Sequence, residues 1–98
     1  MSDGPAPEPP RPQTQVQVVV PDEEKHGDYA NFLVVSHSPH DFTLDFCQLM
    51  PAKEAGKVNA EVVSRVRIPP TMVGRVLNAL NPNLSNYEER FGPVKALG

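Results

Sequence analysis

Between residues 28 and 68 apolar and polar side chains alternate with a period of two, and between 73 and 91 the spacing changes to that of a helix. The first signal is carried by "YANFLVVSHSPHDFTLDFCQLMP", residues 29 to 51. Tyr29, Asn31, Leu33 and Val35 fall on one side of an extended chain, with Ala30, Phe32 and Val34 on the other. Their β-branched and aromatic content suits a strand covered on both faces. Pro39 disfavours the helical region at Ser38, and serine and aspartate are turn formers, so "SHSPHD" predicts a reversal. Phe42, Leu44 and Phe46 then alternate with Asp41, Thr43, Asp45 and Cys47, the pattern of a second strand with one core face and one polar face. The two runs make a hairpin. After the polar loop "PAKEAGK", a third strand is predicted from about Val58 to Ile68. It places Ala60, Val62, Val66 and Ile68 inward and Glu61, Val63, Arg65 and Arg67 outward, with Ser64 interrupting the inward row.

"PP" at 69 and 70 ends that strand and, with Thr71, suits a helix start, because proline is tolerated in a first turn. Val73, Leu77, Leu80, Leu84, Tyr87 and Phe91 follow at intervals of four, three, four, three and four, the spacing of a helix that packs along one seam. Pro82 removes the bond to the carbonyl of Asn78 and predicts a bend or a split, with Asn81 available to cap a second segment. The seam keeps its phase across the proline, which favours the bend. Gly92-Pro93 predicts the stop. A helix of about 22 residues is about 33 Å long, whereas five or six residues of strand span about 17 to 20 Å. The excess length predicts that the seam is an interface with a second copy as well as a core stripe.

Upstream, Val16, Val18 and Val20 alternate in "TQVQVVVP" and predict a short edge strand ended by Pro21, followed by a polar linker to residue 27. "MSDGPAPEPPRPQTQ", residues 1 to 15, holds five of the twelve prolines and has no apolar residue larger than methionine; it predicts a disordered arm. These boundaries leave a single α+β domain over residues 28–92 and a short tail over 93–98. The expected architecture is an antiparallel meander of three or four strands followed by one long C-terminal helix. A core of about 70 residues is marginal without disulfide, metal or partner, and the lone Cys47 excludes an internal disulfide. Self-association is the economical remedy.

The motifs "YANF", "VSHSP", "DFTLDF" and "YEERFG" resemble those of a family of short bacterial and archaeal proteins, the domain of unknown function 3467. The resemblance covers about residues 28 to 92. It implies the domain's limits and brings no activity, substrate or cofactor. Cys47 and Pro82 depart from the family's usual pattern.

Candidate chemistry is thin. His37 and His40 flank the turn with Asp41, Asp45 and Cys47 near in sequence, but zinc needs three or four ligands converging at about 2.0 to 2.3 Å, and turn histidines with carboxylates on a wet face explain the cluster without metal. Cys47 lies seven residues beyond His40, roughly 20 Å along a strand, too far for a Cys-His pair within one chain. No phosphate-binding glycine loop, HExxH or CxxC occurs. The expectation is a protein with no enzymatic activity, metal or cofactor. A net charge of −3 gives no overall footprint for nucleic acid, although Arg65, Arg67 and Arg75 form a candidate backbone-tracking face. A cross-strand ion pair of these arginines with Asp41 or Asp45 is the simpler reading. No run approaches the roughly 20 apolar residues that span a bilayer, and the amino terminus lacks the charged and apolar regions of a signal peptide; the expected location is the cytoplasm. The leading function is a homo-oligomeric interaction or scaffold module whose partner is itself, with another protein second. The runner-up function is a nucleic-acid-binding regulator using the arginine-bearing sheet face, and a membrane partner is not expected.

Overall fold

The computed structural model describes residues 14–95. Its elements are β1 (Phe32–His37), β2 (Phe42–Leu49), β3 (Ala60–Ile68) and α1 (Pro70–Phe91), with a single 3-10 turn at Asp22–Glu24 ahead of them. The strands form one antiparallel sheet in the order β1-β2-β3. The α+β meander with a C-terminal helix is thus the fold, with three strands.

The hairpin is built as its residues dictate. Ser38 donates its backbone N–H to the carbonyl of Asp41 at 2.9 Å. Its hydroxyl accepts the N–H groups of His40 at 3.1 Å and Asp41 at 3.2 Å while donating to Asp41 Oδ1 at 3.0 Å. One serine side chain therefore satisfies the donors that a four-residue reversal strands. β1 begins at Phe32, later than the alternation from Asp28 suggests. Asn31 explains the boundary. Its N–H reaches the carbonyl of Cys47 at 2.9 Å, while its side-chain oxygen accepts the N–H of Leu49 at 2.9 Å, taking the place of a backbone carbonyl in the ladder.

Register fixes the two faces. Leu33, Val35 and His37 oppose Phe46, Leu44 and Phe42, which in turn oppose Ser64, Val66 and Ile68. This row is apolar except for His37 and Ser64. The other face carries Phe32, Val34, Ser36, Thr43, Asp45, Cys47, Arg65 and Arg67. One expectation is corrected here. Phe46 pairs with Ser64 but Cys47 pairs with Val62, so Val63 is an extra residue, a β-bulge. The bulge moves Val62 and Ala60 out of the row of Val66 and Ile68 and onto the face of Cys47, since a one-residue slip exchanges the faces of everything beyond it.

Residues 14–20 are exposed and lie outside any strand, so the valine alternation there adds no edge to the sheet, a correction to the expected strand. Without a neighbouring backbone in register, β-branched alternation cannot form a ladder. The expected arm falls, apart from Thr14 and Gln15, outside the described residues, as do positions 96–98 of the tail.

The helix does not lie on the sheet. Extensive packing joins only β1 to β2 and β2 to β3. The radius of gyration is 17.5 Å, against about 12 to 13 Å for a compact chain of this length. Among the described residues only Cys47 and Ile68 are buried hydrophobics.

Candidate functional site

The surfaces left uncovered by this fold are the candidate site. Pro70 opens α1 at a position where its missing N–H costs nothing, and the N–H of Met72 reaches the carbonyl of Pro69 at 2.9 Å. The helix continues through Pro82 as one element, so no second segment forms for Asn81 to cap. The carboxyl end of the helix is closed twice. Gly92, with φ 97°, adopts a conformation that a side chain resists and donates its N–H to Glu88 O at 2.8 Å. The Glu88 carboxylate then turns to accept the N–H of Val94 at 2.9 Å. These caps end a single 22-residue helix bearing the seam.

Coverage along that seam is confined to the first turns of the helix. Val73 and Val76 are half-buried. Leu77, Leu80, Leu84, Tyr87 and Phe91 are all exposed, with Leu80 at 61% and Phe91 at 67%. Tyr87 and Phe91 meet at 4.9 Å between ring centroids, which extends the stripe to the end of the helix. The apolar sheet face is similarly bare. Leu33, Val35 and Val66 are exposed, while Phe42, Leu44 and Phe46 are half-buried. Large contiguous apolar surfaces of this kind mark interaction sites in soluble proteins.

The arginine residues are divided by the fold. Arg65 donates from Nε to Asp45 Oδ1 at 2.6 Å and from Nη2 to Asp45 Oδ2 at 3.1 Å, a two-point pair across β2 and β3. That bond from Arg65 holds the Asp45 carboxyl below its ordinary range; desolvation opposes it, and the charges of Arg65 and then Arg67 add to the lowering. Asp45 in turn raises Arg65 above the usual arginine value, chiefly through the same hydrogen bond. Arg67 sits opposite Thr43 on the same face. Arg75 lies on α1, apart from the sheet, so the three do not form one continuous basic face.

The turn histidines serve the hairpin. His37 stacks on its cross-strand neighbour Phe42, with centroids 5.3 Å apart and planes 26° from parallel. Cys47 is at the other end of β2, buried, its thiol donating to Asp45 O at 3.4 Å. Among the described residues no three His, Cys, Asp or Glu side chains converge as metal ligands. A surface hollow beside the β2–β3 loop is lined by Met50, Lys53, Glu54 and Lys57, of which Glu54 and Lys57 form an exposed pair at 3.9 Å. No helix among the described residues is long and apolar enough to cross a membrane.

The polar contacts of Ser38, Asn31 and Glu88 are the features that pattern reading missed. Serine two residues before a turn histidine was a visible signal for the first. The other two depend on contacts between distant or irregular segments and left none.

The fold and these surfaces define a class: small α+β chains with a three-stranded meander and an unpacked amphipathic C-terminal helix. The chain belongs to the family described as protein of unknown function, DUF3467, whose model matches residues 1–96. No curated protein matches the chain, and no solved structure does.

Proposed function

We propose that the chain is a non-catalytic, homo-oligomeric interaction module of the cytoplasm, assembled through Val73, Leu77, Leu80, Leu84, Tyr87 and Phe91. The observation that carries this reading is the mutual nakedness of seam and sheet. A single copy exposes both apolar surfaces and buries almost nothing between them. Seven side chains illustrate it: Leu33, Val35 and Val66 on the sheet row and Leu77, Leu80, Leu84 and Phe91 on the seam are all exposed. A second copy that covers the seam and the sheet row would remove their apolar surface from water at roughly 25 cal/mol for each apolar Å². The roles of His37 and Ser38 in the hairpin, and of Cys47 as a small packing residue, support a reading without a reaction.

The arginine face does not favour nucleic acid, because Asp45 already engages the guanidinium best placed to track a phosphate backbone. Sedimentation velocity over a dilution series tests the reading directly. An oligomer that dissociates only on dilution, and whose mass is unchanged by a single-stranded oligonucleotide, is the expected result. A monomer at every concentration would end it, and a mass increase with oligonucleotide would transfer the function to the arginine face.

A further inference from the structure

We infer that in the assembled protein α1 of one copy covers the apolar sheet face of the other, and reciprocally, an arrangement that rests on the self-association reading and adds to it the surface that receives each helix. The receiving face is the row of Leu33, Val35, Phe42, Leu44, Phe46 and Val66.

The connection between strand and helix is the first reason. Only Pro69 separates Ile68 at the end of β3 from Pro70 at the start of α1, and it is extended, with φ −67° and ψ 150°. A helix that reverses onto its own sheet needs a loop, commonly two to six residues. One fixed proline cannot supply the reversal. The helix therefore runs on past the end of the sheet that made it, and its seam loses cover after Val76.

Dimensions and chemistry supply the second. From Leu77 to Phe91 the bare stripe measures about 21 Å at 1.5 Å per residue. Phe42 to Phe46 spans about 14 Å along β2 at 3.4 Å per residue, enough to receive about two-thirds of that stripe. Both surfaces are apolar, and Ile68, the last member of the sheet row, is already buried where the helix departs. The ion pair of Arg65 and Asp45, with Arg67, is on the opposite face and stays outside the contact.

Symmetry supplies the third. A pairing of helices alone would bury the seam and leave the sheet faces wet. Reciprocal exchange consumes both surfaces of both copies and closes, as a two-fold interface must.

The test needs no substitution. Uniformly ¹³C,¹⁵N-labelled protein is mixed with an equal amount of unlabelled protein, unfolded in denaturant and refolded together, and isotope-filtered NOE spectra are recorded so that only contacts between copies appear. The expected result is interchain cross-peaks from the methyl groups of Leu77, Leu80 and Leu84 to the ring protons of Phe42 and Phe46. Interchain cross-peaks confined to helix–helix pairs, with both phenylalanine rings silent, would overturn the exchange while leaving association intact. Absence of any interchain cross-peak, together with sedimentation as a monomer, would overturn both.

Discussion

Asp45 is held ionised by a partner across the sheet, and that fixes the sign of one pH dependence. Its carboxyl lies lower in the folded chain than the ordinary aspartate value of 3.8, first because Arg65 donates to it. A depressed carboxylate contributes stability above the unfolded-state value and loses that contribution as pH falls through the folded one. The melting temperature of Asp45→Asn should therefore lie below the parent's near neutrality and converge on it below about pH 4, the range set by the ordinary aspartate pKa. The pair is exposed on its arginine side, so added salt should shrink the difference too. Two residues along the same strand, the 2% exposure of Cys47 predicts a thiol that reacts with an aromatic disulfide only after denaturation. Rapid reaction in the native protein would mean that this part of the sheet opens. This pair was legible in the sequence because Asp45 and Arg65 both fall on polar positions of alternating strands. Choosing Asp45 over Asp41 as the partner required the register, which alternation alone does not set.

Two prolines shape the elements. Pro69 and Pro70 stop β3 and start α1 without a loop, whereas Pro82 sits inside the helix and deprives the Asn78 carbonyl of its partner. Beside it, Asn83 donates from Nδ2 to the carbonyl of Ala79 at 2.8 Å, a side-chain bond added to the turn that the proline weakens. Proline in a helix interior costs about 3 kcal/mol relative to alanine. Pro82→Ala is therefore expected to raise the thermal midpoint, measured at fixed protein concentration. A fall would mean that the proline's geometry is required where the seam meets its partner. The helix was legible from 73 to 91 because its apolar spacing never loses phase. The bulge at Val63 was not, because Ser64 marks a break in the row without saying that a residue has been inserted. The valine run at 16–20 misled in the opposite direction: alternation satisfies the side chains of a strand, but the backbone needs a neighbour that this chain does not place beside it.

For the whole molecule, folding and association should be one process. Phe46→Ala in the receiving face should cost about 3 to 5 kcal/mol if the ring is buried in the assembly, read from chemical denaturation. A cost below about 1 kcal/mol, the range of wet positions, would place that face in solvent. Leu84→Asp puts a charge into the seam, expected to cost several kcal/mol where it cannot reach water and to shift the protein toward an unfolded monomer by light scattering. The parent's melting temperature should rise with concentration. The shortage of core was readable from length and from the single cysteine. Which surface meets which was not, because one helix spacing serves equally for a stripe on its own sheet, on a sister helix or on another copy's sheet.

The order of elements also sets what happens at the ribosome. All three strands are synthesised before α1, so each nascent chain can close its hairpins while its adhesive face still lacks a cover. Under reciprocal exchange, that cover can come from a finished chain nearby, and a neighbour on the same messenger is the nearest source. Translation that halts within α1 would leave a product able to accept a helix but unable to return one. Such a fragment would occupy intact copies without completing them, and a small amount could poison the pool of full-length protein.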